Sequence, residues 1–341
     1  MMKNIYSWSG LILFYCLWLG GLSFDTLRMF DLSDFPNHDG HSYVNMSGGN
    51  FDVPPHHKYR VVIPGMVAFL RAGLPAEADS PKVTKALFYG VNLLLGGIML
   101  ALSHRALAAH GFLQVTALLS TLMLGGCRFI LQSIAQPMVD MGMYLSLAGM
   151  AYLLTTRQWN YLCLWLPLMA LSKEVVYPVL LLPLLLVPKE YRGRLAVSYL
   201  IAALLVWWVR HAVSAVSIAG IVSTADPAWS YASNSLFSVI AKHLQGASIN
   251  LAYLFTPRGS FDILIAFGGL WPFMVHGSLC RSNRFPAWLW VLLPYALWCG
   301  LLSQHWGRML TIAFPLASWL AAAGMDDWVR KAIHFDPPAG S

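Results

Sequence analysis

The sequence predicts an all-α integral membrane protein with about ten transmembrane helices, a long first extracytoplasmic loop and no soluble domain. The chain of 341 residues is 57% apolar, and its mean hydropathy is +0.59. Apolar runs of about 17 to 21 residues recur along it, and an α-helix needs roughly 20 such residues to cross a bilayer. Only 11% of the residues are charged, and they concentrate in a few segments.

Ten apolar segments are the predicted membrane spans. The first follows a single cation, Lys3, and lacks a small-residue cleavage site, so we expect a retained helix rather than a removed signal peptide. The fifth and sixth are too short to cross alone, and Ser172-Lys173-Glu174 lies between them. A single crossing would leave these charges in the middle of the bilayer, so we expect two short helices that meet at the outer face. In chain order the segments are Ile5–Phe24, Ala86–Leu102, Phe112–Leu131, Pro137–Leu154, Tyr161–Leu171, Val175–Val187, Leu195–Val216, Asp262–Cys280, Pro286–Leu302 and Met309–Gly324.

The short loops set the predicted orientation. Pro188–Arg194 and Cys280–Arg284 are short and basic, and such loops favour the cytoplasmic side. Both termini are then cytoplasmic, and the net charge of +7 reports orientation rather than nucleic-acid binding. Residues 1–325 are expected to form one transmembrane domain, followed by a cytoplasmic tail at 326–341. The chain is expected to cross its membrane many times.

Two long segments, residues 25–85 and 217–261, lie on the extracytoplasmic side in this topology. Within the second, the apolar residues of Asn234–Phe255 share one helical face, which predicts a helix lying in the membrane interface. The first contains acids, histidines and cations up to Arg60, although most of the chain carries few charges. We therefore expect the chemistry in a cavity that this first loop covers and that faces the extracytoplasmic side.

The order of elements around the first loop resembles that of GT-C membrane glycosyltransferases. An apolar helix is followed by Asp39-Gly-His-Ser-Tyr43, by Tyr59-Arg60-Val-Val-Ile-Pro64 after a Pro-Pro pair, and by a short amphipathic piece, Val61–Leu70. Later stretches similar to bacterial members are Ser172-Lys173-Glu174 and Gly307-Arg308-Met309-Leu310. The chain departs from the protein O-mannosyltransferases and aminoarabinose transferases because it lacks the paired Asp-Glu of their first loop and their soluble C-terminal domain.

This resemblance implies transfer of a sugar from a polyprenyl-phosphate donor to a glycan, lipid or protein acceptor, with inversion at the anomeric carbon. It also implies a location in a bacterial inner membrane, with the active site facing the periplasm. A carboxylate must take the proton of the acceptor hydroxyl, and cations must stabilise the leaving phosphate. The resemblance places the catalytic acid of the family at Asp39, and Asp34 and Asp31 are the fallback candidates. The alternative is that Asp34 caps a turn before Pro36 and that Asp39-Gly40 makes another turn.

Three cations are candidates for binding the phosphate: Arg60, Lys173 and Arg308. The planar fork of a guanidinium suits a phosphodiester better than a point charge does. Each cation has a structural alternative, since Arg60 would serve as an anchor at the membrane surface, Glu174 would neutralise Lys173, and Arg308 would be an interfacial anchor beside Trp306. The other residues expected at the substrate site are Tyr43, His41, Lys58, Glu174 and His305.

A divalent metal ion is a further interpretation of the first loop. Its imidazole and carboxylate side chains are suitable ligands, but their spacing matches no strong zinc motif, so no metal ligand and no cofactor is assigned. The sequence contains no GxxxxGK[ST], GxGxxG, HExxH or GxSxG motif, which disfavours nucleotide hydrolysis and the hydrolases that carry such motifs. Five cysteines without paired loop spacing suggest no disulfide framework. The loop residues concerned are His38, Asp39, His41, His56 and His57.

Two other classes of function stay open at this level. A transporter or lipid-carrier flippase would need polar residues at broken helices near the midplane and often has internal repeats, and no convincing repeat is present. A polymerase or partner subunit of a cell-envelope polysaccharide assembly would share the same architecture. If the protein is a glycosyltransferase, its partners are the lipid-linked donor, the bilayer and the acceptor, with no nucleic acid.

Overall fold

Every regular element that the computed structural model describes is a helix, and the described residues are 7–35, 38–75, 80–217, 246–280, 286–302 and 305–333. Five helical segments are long and apolar enough to cross a membrane, or six if one bent pair counts as a span. The described part of the chain is therefore all-α, and its apolar helices indicate a membrane protein, whereas ten crossings with GT-C topology are not confirmed. The five segments are Trp8–Met29, Pro81–Ala109, Lys189–Val213, Pro257–Leu279 and Trp306–Ile333.

The α-helices are labelled in chain order. Shorter 3-10 turns connect several of them, such as Leu32–Asp34 before α2 and Glu174–Val176 after α9. The helices are α1 (Trp8–Met29), α2 (Gly40–Ser47), α3 (Pro55–Lys58), α4 (Val62–Ala72), α5 (Pro81–Ala109), α6 (Gln114–Gly125), α7 (Arg128–Ala135), α8 (Asp140–Thr155), α9 (Trp159–Ala170), α10 (Leu182–Leu186), α11 (Arg192–Ser217), α12 (246–254), α13 (Pro257–Phe267), α14 (Trp271–Leu279), α15 (Leu292–Leu301), α16 (Trp306–Leu310) and α17 (Phe314–Ile333).

The centre of the bundle is formed by α5, α8 and α17. In the segment that ends with α17, 94% of the most apolar window is buried, against 22% in α1. The α8 helix packs between α5 and α9, and most of its side chains are buried. On α1, Leu13 and Leu17 are 60% and 69% exposed. Exposed leucines on a long apolar helix fit a surface that faces lipid rather than water.

The predicted span Phe112–Leu131 is broken into α6 and α7, which meet at an angle of 61°. Gly126 and Cys127 separate the two helices, and the extended backbone of Cys127 ends the first. The segment that follows α7 is tied to the bundle by Asn92 of α5, whose Nδ2 donates to the backbone carbonyls of Gln136 at 3.3 Å and Met138 at 3.1 Å. These bonds fix the position at which α8 begins.

The short amphipathic piece predicted in the first loop is confirmed as α4. It lies against α5 through Ile63, Pro64 and Val67, whereas Phe69 on its other side is 80% exposed. Such a two-faced helix suits a position at the membrane surface. It also determines the direction of the chain directly after Arg60.

The two short predicted spans differ in structure. Tyr161–Leu171 is confirmed as the helix α9, but Val175–Val187 consists of 3-10 turns and the five-residue α10. Pro178 and Pro183 lack the N–H that a continuous helix needs, which favours such short turns.

The described part of the second long segment is helical rather than a loop. Residues 246–254 form α12, and α13 begins at Pro257. The helix expected over Asn234–Phe255 is therefore present in its last part, while residues 218–245 lie outside the described residues. The Nδ2 of Asn250 donates to the carbonyl of Leu301 at 2.8 Å, which holds α12 against the end of α15.

Candidate functional site

Six charged side chains from separate parts of the chain meet at the end of the bundle where α1 ends and α8 begins. Three are acids and three are cations, so their formal charges balance. They come from the first loop, the start of α8, the break after α9 and the short helix α16. We call this group the charged cluster, and its members are Asp39, Arg60, Asp140, Lys173, Glu174 and Arg308.

Asp39 occupies the N-cap position of α2, but its carboxylate makes no capping hydrogen bond. Its Oδ1 lies 3.5 Å from Nε2 of His57, and its Oδ2 lies 3.6 Å from Nη1 of Arg308. The His57 ring is itself held by a 2.9 Å contact between Nδ1 and the hydroxyl of Ser42. The Asp39 side chain is 33% exposed, so a substrate can reach its lone pairs.

Asp39 is held in its ionised form. Burial alone would raise the pKa of this carboxyl, but the hydrogen bond from His57 and the charges of Arg308, His57 and Arg60 outweigh burial and hold the pKa well below its usual range. An ionised carboxylate is an acceptor only, which is the state that a general base requires before it takes a proton.

Asp140 is the buried centre of the cluster. Its side chain is 1% exposed, and it accepts from Nζ of Lys173 at 2.5 Å and from Nε and Nη2 of Arg308 at 2.8 and 2.7 Å. Lys173 is also buried, with a side chain 4% exposed. Charges this far from water need such partners, because an unpaired buried ion is strongly destabilising. Asp140 therefore positions the two cations rather than meeting a substrate.

Arg60 pairs with the neighbour of Lys173. Its Nε donates to both carboxylate oxygens of Glu174 at 3.1 Å, its Nη2 makes a further contact with Glu174, and its Nη1 donates to the hydroxyl of Tyr43 at 2.9 Å. Lys173 has an extended backbone, and successive side chains along extended backbone point in opposite directions. Lys173 and Glu174 therefore reach different partners.

The loop that carries Asp39 is fastened to the segment before α8. Nε2 of His38 lies 3.2 Å from Oε1 of Gln136, and Nδ1 of His38 accepts from the backbone N–H of Gly40 at 3.0 Å. A Cβ at Gly40 would lie 2.7 Å from Cγ of Pro137, so only glycine allows this approach. These contacts bring Asp39 close to the side chains that surround Asp140.

The fallback acids lie outside the charged cluster. Asp31 caps a 3-10 turn by accepting from the backbone N–H and hydroxyl of Ser33 at 3.0 and 2.8 Å. Asp34 is exposed at the end of that turn. Asp34 thus ends a turn, and Asp39 also lies in a turn directly before α2, but the carboxylate of Asp39 is directed to His57 and Arg308.

The remaining predicted site residues differ in how near they lie to the cluster. Tyr43 belongs to it through Arg60, and His305 lies close enough to Arg308 that burial and the charge of this arginine lower its pKa. His41 instead contacts the backbone carbonyl of Phe35 at 3.1 Å through Nε2. Lys58 is half-buried in α3, and among the described residues it makes no hydrogen bond or ion pair with the cluster.

Each of the three cations has an acidic partner within the bundle. Lys173 pairs with Asp140, and Glu174 pairs with Arg60. The side chains of Arg60 and Arg308 are only 10% and 16% exposed, and both make ion pairs. Lys173 and Arg308 share Asp140 as a counter-ion, whereas Arg60 pairs with Glu174 and acts on Asp39 through its charge.

Among the described residues, the histidines of the first loop do not gather with Asp39 into a group of three metal ligands. His38 is directed to Gln136 and His41 to Phe35, so only His57 meets the carboxylate. The side chain of His56 lies outside the described residues. A divalent ion in the first loop therefore has no support from the described geometry.

No protein-family model, curated protein or solved structure matches this chain. The geometry of the charged cluster therefore carries the functional conclusion. Two of the residues involved, Asp140 and His57, had no catalytic or phosphate-binding role from the sequence. The sequence contained a signal for Asp140, because an acid at the start of a long apolar segment costs free energy and is rare unless it is functional or paired. For His57 the sequence contained no signal beyond its position in a histidine-rich loop.

Proposed function

We propose that the protein is an integral-membrane glycosyltransferase that moves a sugar from a polyprenyl-phosphate donor to an extracytoplasmic hydroxyl acceptor. The reaction inverts the anomeric carbon, and the active site faces the periplasm of a bacterial inner membrane. The acceptor is a glycan, a lipid or a protein. The proposal rests on the charged cluster and on the resemblance of the first loop to GT-C enzymes.

The observation that carries the proposal is the environment of Asp39. It is the carboxylate of the cluster that is partly open to solvent and has only longer contacts with cationic groups, at 3.5 Å to Nε2 of His57 and 3.6 Å to Nη1 of Arg308. The buried Asp140 and the Arg60-bound Glu174 are instead engaged at 3.1 Å or less. Asp39 therefore has the lone pairs available to accept the proton of an acceptor hydroxyl.

Arg308 links the base to the leaving group. When the acceptor oxygen attacks the anomeric carbon, its proton passes to Asp39 and the bond between the sugar and the phosphate breaks. Asp39 then loses its negative charge while the departing polyprenyl phosphate gains one. The guanidinium of Arg308 lies 3.6 Å from Asp39. From this position it stabilises the negative charge first on the carboxylate and then on the leaving phosphate.

Arg60 retains donors for the same phosphate. A guanidinium has five N–H groups, and Glu174 and Tyr43 engage its three nitrogens without using all five. Lys173 is enclosed by the bundle and paired with Asp140, so its role is to hold Asp140 and, through it, Arg308. The phosphate-binding groups are then Arg60 and Arg308.

The experiment is sugar transfer by the purified protein in lipid nanodiscs with a panel of polyprenyl-phosphate sugars and cell-envelope acceptors. We expect transfer by the wild type and a loss of about 100-fold or more in Asp39→Asn, because a general base contributes at least that factor. Asp34→Asn is the matched control, since this acid is exposed in the same loop, and it should keep full activity. An Asp39→Asn protein as active as the wild type would remove Asp39 from the reaction, and a wild type inactive with every donor would reject the function.

A further inference from the structure

A second cluster of polar side chains lies at the far end of α17 from the charged cluster. It consists of His276 in α14, Cys280 directly after that helix, and Asp327 in α17. One candidate ligand atom from each lies within 4.8 Å of the other two. Nε2 of His276 lies 2.8 Å from Oδ2 of Asp327. Among the described residues this is the only group of three such side chains with that spacing.

The backbone holds the three side chains together. His276 and Cys280 are four residues apart, so they lie on one face of α14. Between them, a Cβ at Gly277 would overlap the carbonyl oxygen of Leu320 in α17, and a Cβ at Gly324 would overlap that of Phe273 in α14. The two helices therefore touch backbone to backbone. This contact sets Asp327, one turn after Gly324, against His276.

The second cluster lies at the opposite side of the membrane from the charged cluster if the last segment crosses it. Asp327 follows Arg308 by 19 residues in a helical segment, which corresponds to about 28 Å at 1.5 Å per residue. The hydrocarbon core of a bilayer is about 30 Å thick. A ligand bound by His276, Cys280 and Asp327 is thus separate from the sugar-transfer site and independent of the proposed function.

We propose that His276, Cys280 and Asp327 bind a zinc ion that clamps α14 to α17. An imidazole nitrogen, a thiolate sulfur and a carboxylate oxygen are the three ligand types that zinc takes in proteins, and three protein ligands leave a fourth position for water. Binding releases the proton of the Cys280 thiol to solvent and places the metal between His276 and Asp327.

Lys331 competes with the metal for the carboxylate of Asp327. Its Nζ lies 2.7 Å from Oδ2 of Asp327, four residues away on α17. The side chain of Lys331 is 70% exposed, and exposed ion pairs of this spacing are weak. Zinc must displace this ammonium from Asp327, so removal of the lysine charge should favour the metal.

The test uses the full chain in detergent, freed of its purification tag and of metal by a chelator, and titrated with Co²⁺ as a coloured substitute for zinc. We expect a thiolate-to-cobalt charge-transfer band that Zn²⁺ abolishes. The band should be absent in Cys280→Ser, and Asp327→Asn should weaken Co²⁺ binding on the order of 100-fold because it removes a ligand. Lys331→Gln should bind Co²⁺ several-fold more tightly.

Cys16→Ser is the matched control, because Cys16 is also a half-buried free thiol and lies in α1 away from this cluster. It should show the band of the wild type. No band in the wild type, or a band of unchanged intensity in Cys280→Ser, would overturn the zinc site. If Cys280→Ser fails to fold, Asp327→Asn gives the decision: Co²⁺ affinity equal to that of the wild type would overturn the proposal.

Discussion

The guanidinium of Arg308 joins Asp39 to Asp140. Its Nη2 lies 2.7 Å from Oδ2 of the buried Asp140, and its Nη1 lies 3.6 Å from Oδ2 of the accessible Asp39. One cation thus has a fixed counter-ion on one side and the proposed base on the other. Because Asp140 holds Arg308 in place, the distance between Arg308 and Asp39 is set by the fold rather than by the substrate.

Replacing this guanidinium by an ammonium tests whether the reaction uses the connection that Arg308 makes between Asp39 and Asp140. Arg308→Lys keeps the charge but has a single donor group that does not reach both carboxylates with the same geometry. We expect sugar transfer to fall on the order of 100-fold, as when one stabilising donor is removed from an active site. Arg258→Lys, at an exposed position of α13, should retain the wild-type rate in the same assay. Equal rates for Arg308→Lys and the wild type would show that the link is not used.

Asp140→Asn tests the role of the buried carboxylate in stability. The substitution leaves Lys173 and Arg308 without their shared counter-ion, and removing one partner of a buried ion pair costs about 3–5 kcal/mol of unfolding free energy. Denaturant titration in mixed micelles measures this loss. Asp34→Asn should lie within about 0.5 kcal/mol of the wild type because the residue is exposed.

The double variant Asp140→Asn with Lys173→Met separates the charge effect from the loss of a hydrogen bond. Asp140→Asn leaves the buried ammonium of Lys173 without a counter-ion, whereas Arg308 still has Asp39 at 3.6 Å, so removing the ammonium as well should restore part of the lost stability. If the double variant is less stable than Asp140→Asn alone, the unpaired ammonium of Lys173 is not the cause of the loss.

Gly40→Ala tests the placement of the loop. The new Cβ would lie 2.7 Å from Cγ of Pro137 and 2.8 Å from Nδ1 of His38, and the proline ring has little freedom to move away. The loop should shift, and a displacement of about 1 Å at a reacting group can lower the rate by about 100-fold. Gly65→Ala in α4 is the control, because nothing lies within 4 Å of its Cβ position. A Gly40→Ala enzyme with normal transfer would show that the loop tolerates this contact.

The lowered pKa of Asp39 predicts how stability depends on pH. A carboxyl whose pKa is lower in the folded state contributes stability that is complete above its unfolded pKa of about 4 and is lost as the pH falls through the folded value. The difference in thermal midpoint between the wild type and Asp39→Asn should therefore be constant from about pH 5 to pH 8 and should shrink below about pH 4. A difference that already disappears between pH 7 and pH 6 would mean that Asp39 titrates there.

The residue pattern predicted the helical class and the amphipathic helix α4, since both depend on local periodicity. The sequence predicts this helix over Val61–Leu70, and the structure has it at Val62–Ala72. The prediction succeeds because the pattern of apolar and other residues that defines a short amphipathic helix lies within consecutive positions of the sequence. The break between α6 and α7 was not predicted. The apolar run continues across Gly126 and Cys127, so hydropathy alone gives no sign that the helix bends there.

The partners of the charged residues could not be predicted in the same way. Lys173 and Glu174 are adjacent, which suggested mutual neutralisation, yet their partners are 33 and 114 residues away in the chain. Asp140 was visible as an acid at the start of an apolar segment, but nothing near it in sequence identified Lys173 and Arg308 as its counter-ions.

The sequence by itself determined that this is an all-helical chain of membrane-like apolar segments and that its acids and cations concentrate in a few places. Both properties follow from composition and short-range periodicity. Only the tertiary structure decided that Arg308 lies between two carboxylates, with Asp39 near one nitrogen and the buried Asp140 paired with the others. The physical reason is that burial away from water forces each charge to find an opposite charge, and the packing of α8, α9 and α16 selects which one lies within reach.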